Sequence, residues 1–164
     1  MPLHDIRNLE IVGREAETPW MSPGTFLVID FVLDGRYLGD WVSPIEKAAG
    51  RERPNYLGHR ADIDLRGLLT QEWNWDDDET FDGRVPVLGC VCGDISCGPL
   101  CVRIDTEPGW VRWHDIVRWR GPFFDYGDIG FRFPQEVYAA ALDRWERDHP
   151  GRDLPDAEPP STPS

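Results

Sequence analysis

The sequence predicts an α+β fold: an antiparallel sheet built from two hairpins, with a C-terminal amphipathic helix and a disordered tail. Three observations carry that expectation. An Asp34-Gly35 pair separates two runs rich in β-branched and aromatic residues, and such a pair favours a tight hairpin turn because both residues adopt positive φ. A second pair of strand-like runs flanks Glu107-Pro108-Gly109, and apolar residues recur at helical spacing from Val137 to Trp145. The 164 residues suit one domain, a length at which about 70% of the unfolded surface is buried on folding. The reading is a single domain over residues 1–149 and a tail over 150–164.

Taken in order, Ile6 to Arg14 has weak strand character and Thr25 to Leu33 has strong strand character. After the turn, Arg36 to Val42 is expected to return as the second arm. On that register Leu27, Ile29, Phe31 and Leu33 share one face; Phe26, Val28 and Val32 share the other with Tyr37 and Trp41, so both faces should be covered. Ser43, Pro44 and Glu46 could start a short helix. Asp62 or Asp64 could cap another that runs to Leu69, with Leu65, Leu68 and Leu69 inward. Arg84 to Cys90 and Leu100 to Thr106 read as strands. Trp110 to Trp119 follows the turn, and its alternation puts Val111, Trp113, Asp115 and Val117 on one side. Pro134 is a good first helical residue for a helix whose stripe is Val137, Ala141 and Trp145, flanked by Tyr138 and Leu142. Residues 150–164 hold five prolines and three acids, a composition that cannot offset the entropy of ordering.

Thirty acidic against seventeen basic residues give a net charge of −13. Such a chain repels phosphate backbones and anionic lipid and speeds encounter with a basic protein. No run approaches the roughly 20 apolar residues of a membrane-spanning helix, and Met-Pro-Leu-His-Asp does not begin like a secretory signal; the expectation is a cytoplasmic protein bound to neither membrane nor nucleic acid. Acidity concentrates between Glu72 and Asp82, which hold six carboxylates and no base. A calcium loop counted from Asp76 would need Gly where Phe81 stands. Trp73, Trp75, Asp76, Asp77, Asp78 and Glu79 are therefore the candidate surface for a basic partner, and the function expected is that of an acidic interaction protein of the inhibitor or immunity-factor kind.

The alternative rests on Cys90, Cys92, Cys97 and Cys101, four cysteines within twelve positions. A secreted disulfide framework spreads its cysteines; this one does not, which leaves metal, redox chemistry or plain burial. Four thiolates could surround one zinc, the candidate cofactor, and His114 could replace one of them because the turn at Pro108 returns its strand toward Cys101. The spacings are not those of paired zinc-knuckle ligands. Cys97-Gly-Pro-Leu-Cys101 is similar to the Cys-Gly-Pro-Cys site of thioredoxin-like proteins, with one residue more between the sulfurs and a strand where a helix should open. Free buried thiols are the plain reading.

No familiar catalytic motif occurs, so whether the chain is an enzyme stays open. His114 and Asp115 are adjacent on a strand and point apart. His59, Asp62 and Asp64 lie close in sequence, but capping explains the aspartates better. A third possibility is a cleft near His114 and Asp125. The aromatic residues Trp110, Trp113, Trp119, Phe123, Phe124 and Tyr126 suit a core, with Phe123 to Asp128 on a loop.

From Arg84 to Asp143 the chain resembles an uncharacterised family of bacterial proteins. The residues that carry the resemblance are Leu88, Gly89, Cys90, Cys92, Gly93 and Cys97, then Val111 and Trp113, Asp125 and Tyr126, Phe131 and Phe133, and Gln135, Tyr138 and Leu142. Three of the four cysteines belong to that pattern and Cys101 does not. The family implies no activity.

Overall fold

The computed structural model describes residues 3–16, 26–50, 56–60, 65–70, 83–89, 98–119 and 123–149. Among these residues ten strands and three helices follow one another as β1 (Leu3–Asp5), β2 (Leu9–Ala16), β3 (Phe26–Leu33), β4 (Arg36–Tyr37), α1 (Leu38–Ala48), β5 (Leu57–Arg60), α2 (Leu65–Leu69), β6 (Val85–Gly89), β7 (Leu100–Glu107), β8 (Trp110–Arg118), β9 (Phe124–Asp125), β10 (Gly130–Pro134) and α3 (Gln135–Asp148). The fold is mixed α+β, as the hairpin and helix signals require.

One sheet contains all the strands, in the order β1-β10-β8-β7-β6-β5-β3-β2, with β4 on β3 and β9 on β8. Every pairing is antiparallel except β1 with β10. The sheet is rolled. β3 and β8 stand four places apart in the order, roughly 19 Å in a flat sheet, yet the rings of Phe31 and Trp113 meet edge to face at 5.5 Å. Its two end strands, β1 and β2, are joined by residues 6–8 alone. Asp34 fastens that seam: its Oδ1 accepts the amides of Arg7 and Asn8 at 2.9 and 2.8 Å, and its own amide donates to the Asn8 carbonyl at 2.8 Å.

The interior is one apolar cluster that takes in Ile29, Phe31, Leu33, Leu65, Val85, Val102, Trp113, Phe131, Phe133 and Trp145. Helix α3 lies against β2, β10 and β8, burying Tyr138, Ala141, Leu142 and Trp145, the stripe read from its 3.6-residue period. Arg66 of α2 binds Asp143 at 2.6 Å and Glu146 at 2.8 Å, which pins the two helices together. Pro134 stands one place before α3, as its N-cap, instead of opening it.

Three local expectations are corrected. Asp34 and Gly35 do make the turn, with φ of 51° and 83°, but the returning arm is only two residues long and continues as α1. The reason is non-local: β3 is paired along its length with β2, and its other edge is shared between β4, at Val32 and Leu33, and β5, at Val28 and Ile29. A longer β4 would displace β5. Helix α1 accordingly begins at Leu38, ahead of Ser43, and carries Pro44 inside it. Proline cannot bond the carbonyl four residues back, and Arg36 Nη2 lies 3.5 Å from that Asp40 oxygen.

The second correction concerns Val117. Asp115 has φ of 54°, and the ladder shifts there, so that Cys101 faces Val117 while Arg103 faces His114. This bulge inserts a residue and reverses the alternation beyond it. Val111, Trp113 and Ile116 face the interior; Val117 turns outward, where it packs with Cys101 and Trp119. The third is the weak strand over Ile6 to Arg14: residues 6–8 are the link between β1 and β2, and the strand itself, β2, starts only at Leu9 and runs on to Ala16.

Candidate functional site

The wall of the rolled sheet is interrupted beside β3. Between the residues that pair with β4 and those that pair with β5, Asp30 and Phe31 have no partner on that edge among the described strands. Leu33, Phe31 and Ile29 turn their amides to the same side by the alternation of an antiparallel ladder, so the Phe31 amide opens onto the gap. It donates instead to Oδ1 of its own neighbour Asp30, at 2.9 Å and buried. Asp30 Oδ2 accepts from Arg14, Nε at 3.2 Å and Nη2 at 3.1 Å. A cleft of about 240 Å³ opens at this point, lined by Arg14, Asp30, Tyr37, Gly39, Asp40, Tyr56 and Leu88.

Asp30 is only 6% exposed. Burial pushes its carboxyl above the ordinary carboxylate value, with Asp40 adding to the rise, and the Phe31 amide and Arg14 recover only part of the shift. A buried carboxylate with a shifted proton affinity, in a cleft, is a candidate functional group on physical grounds.

Tyr56 connects this cleft to a buried polar chain. Tyr126 Oη donates to Glu46 Oε2 at 3.0 Å, so its single proton is committed and Tyr56 is the donor in the 2.5 Å contact between the two hydroxyls. Arg118 Nε lies 3.4 Å from the same Glu46 oxygen, and its Nη1 donates to the Gly98 carbonyl at 3.2 Å. The guanidinium stacks 4.3 Å from the centre of the Tyr56 ring. All four side chains are buried, and Arg118 Nη2 has no hydrogen-bond partner among the described residues. Burial is the main reason that both tyrosine hydroxyls hold their protons more tightly than usual. The elements that bring these residues together are α1, whose buried positions Leu38, Val42 and Glu46 recur every four residues, and β8, whose bulge turns Arg118 inward.

Of the residues singled out from the sequence, Cys101 and His114 fall within the described segments. Cys101 is fully buried on the outer face of β7 with its Sγ 3.9 Å from the Pro99 carbonyl. Burial pushes its thiol well up, and the charge of Arg84 opposes that only in part. His114 lies opposite Arg103, two places from Cys101, and its Nε2 is 2.5 Å from Asp105 Oδ2. Asp105 also pairs with Arg112, while Asp115 pairs with Arg84 and Arg103. Partial desolvation pushes both carboxyls up, but these partners outweigh it and hold them below their ordinary range. His114 is thus part of an ion-pair ladder on the outer face. Asp125 caps its own turn through the Gly127 amide at 2.9 Å. No three potential metal ligands come together among the described residues.

Cys90, Cys92, Cys97, Trp73, Trp75, Asp76, Asp77, Asp78, Glu79, Asp62 and Asp64 lie outside the described residues, as do residues 150–164; the side chain of His59 is likewise outside them. The ends of the two segments are described. The thiol segment leaves from Gly89, opposite Leu57, and returns at Gly98 beside Arg118. The acidic segment leaves after Thr70 and returns at Gly83, whose φ is 77° and where an added Cβ would meet Arg103 Nη1 at 2.9 Å.

Charge divides unevenly between the two parts of the chain. Sixteen of the thirty acidic and thirteen of the seventeen basic residues lie in the described segments, a net of −3, so −10 of the −13 belongs to the remainder. Within the framework, Asp5, Asp30, Glu46, Asp105, Asp115, Asp143 and Glu146 each meet an arginine.

Asp30, Glu46, Tyr56 and Arg118 were not expected as site residues. For Asp30 a signal existed: it is the lone charge in the run Phe26 to Leu33, and a charge on a covered strand needs a partner. Among the described residues no helix is long and apolar enough to cross a membrane. The chain matches no family model, no curated protein and no solved structure, so its function is argued from these residues alone.

Proposed function

We propose that the protein is an acidic interaction module that binds a basic protein partner, with the segment from Glu72 to Asp82 supplying the charge and Trp73 and Trp75 the apolar contact. The observation that carries this reading is the division of charge. The described framework sets thirteen basic residues against its sixteen acidic ones, while a net −10 is left to the remaining segments. Charge not used to hold the fold is free to steer association. A partner of the kind an inhibitor or immunity factor meets would approach this excess. The test is to recover a partner by cross-linking in cells, purify it and titrate it against the protein at increasing ionic strength. A basic partner whose affinity falls as salt rises supports the reading; a partner of neutral or acidic charge, or an affinity indifferent to salt, overturns it.

A second reading has its own support. Gly89 and Gly98 bracket the segment of Cys90, Cys92 and Cys97, and Leu88 pairs with Leu100 just behind them. Three thiols within eight residues of sequence support a zinc or thiol redox site there. Cys101, a buried thiol directed to the outer face, is the weakest member of that set. Elemental analysis of protein purified without added metal should find about one zinc per chain; trace metal would end the zinc reading.

A further inference from the structure

We infer that the cleft at the break in the sheet wall is a binding site for one organic cation, an alkylammonium or guanidinium group, received by Asp30 and Asp40 and flanked by Tyr37 and Tyr56. The inference is independent of the basic-protein reading, which concerns a different segment.

The cleft is the consequence of the topology. Because β4 ends at Tyr37 and β5 pairs only with Val28 and Ile29, the strand edge between them has no partner among the described strands, and the cleft lies beside it. Gly39, in its lining, has nothing within 4 Å of where a Cβ would stand, so the first turn of α1 does not close the opening. About 240 Å³ is left, room for a small amine or guanidine and too little for a large cofactor.

The lining sets the chemistry. Among the described lining residues Asp30 and Asp40 bring two carboxylates to one cleft and Arg14 supplies one positive charge, a balance of one negative charge. Asp30 raises the cost of that imbalance because it is buried, where an uncompensated charge is expensive. Its carboxylate accepts from Phe31 and twice from Arg14, which uses three of about four acceptor positions. One position remains for an incoming N–H. Arg14 itself shows that a guanidinium fits on this carboxylate: its side chain, 45% exposed and part of the cleft lining, reaches Oδ2 from β2. Tyr37 and Tyr56 add aromatic surface, and a cation beside a tyrosine ring is stabilised by the ring's negative face. Arg118 stacked on Tyr56 displays that same preference from the interior side. An anion would meet two carboxylates here, and a neutral apolar ligand would strand them without water.

The Phe31 amide is a built-in reporter, since its proton lies on the Asp30 carboxylate. Methylguanidinium and n-butylammonium, titrated separately into the uniformly ¹⁵N-labelled full-length protein, should move the Phe31 and Gly39 amide resonances along saturable curves. Sodium chloride at the same ionic strength should leave them in place. Asp40→Asn, on an exposed side chain, should weaken both probes by about tenfold or more, the cost of one charge-assisted contact; Asp30→Asn should do the same where it folds. A capped Gly-Arg-Gly peptide separates the sources: affinity equal to that of methylguanidinium assigns the site to a free small cation, and tighter binding assigns it to an arginine side chain of a polypeptide. Shifts no larger than those of sodium chloride, or saturable shifts unchanged by Asp40→Asn, overturn the inference.

Discussion

The two ends of the rolled sheet solve the same problem in opposite ways. At one end Trp113, Phe133 and Tyr138 pack edge to face, and each polar atom finds its match: the Trp113 indole donates to Tyr138 Oη at 3.0 Å, which donates to the Leu69 carbonyl at 2.9 Å. At the other end Glu46, Arg118, Tyr56 and Tyr126 carry an ion pair into the interior, with Arg118 Nη2 left without a partner among the described residues. An apolar cluster is the cheaper way to fill a core, because two charges must be desolvated before they attract. The aromatic end therefore holds the fold, and the polar end, which adjoins the cleft and the return of the thiol segment at Gly98, buries charge at a cost in desolvation.

This contrast can be broken most directly at Trp113, which is fully buried. Trp113→Ala removes the ring that touches Phe31, Phe133 and Tyr138 and should cost about 3–5 kcal/mol in denaturant unfolding. A loss below about 1 kcal/mol would mean that the aromatic end is not the stabilising one.

The polar end sharpens the contrast through a double substitution. Glu46→Leu leaves Arg118 buried and uncompensated and should cost about 3 kcal/mol, whereas Glu46→Leu with Arg118→Met should recover to within about 1 kcal/mol of the parent. If the double variant is as unstable as the single one, the ion pair contributes to the fold and the contrast fails.

The smallest effect is a pH dependence at Asp30. Its carboxyl is raised in the folded state, so the native chain binds this proton more tightly than the unfolded chain does, and stability falls as pH rises from the ordinary carboxylate value through the raised one. Asp105 and Asp115, held below their ordinary range, act in the opposite sense and lose their contribution on acidification. The stability of Asp30→Asn relative to the parent should therefore increase between pH 4 and pH 7. A difference that stays flat over that interval would show that Asp30 is not perturbed.

What could be read from the sequence was local. The Asp34-Gly35 turn, the β7 and β8 hairpin and the stripe of α3 each depend on residues close together in the chain, and each formed. The first half of α1, Leu38 to Val42, reads as a strand because its fate depends on β5, which claims the edge of β3 that Arg36 to Val42 would have used; the helix signal at Ser43, Pro44 and Glu46 falls in its second half. The bulge at Asp115 has no periodic signature, so Val117 was assigned to the wrong face. The site was less legible still: Arg118 meets Glu46 across 72 positions of sequence, and no local pattern announces such a pair. Only the isolated charge of Asp30 within an apolar strand pointed to the cleft.

The described framework carries a net of only −3, and the acidic segment is proposed to serve a partner instead of the fold. That role is tested by one variant, Asp76→Asn, Asp77→Asn, Asp78→Asn and Glu79→Gln together, measured for thermal unfolding and for binding of the cross-linked partner. An unchanged or higher melting temperature with affinity reduced by about tenfold or more is the expected result. A lowered melting temperature with affinity intact would contradict it, because those carboxylates would then belong to the fold.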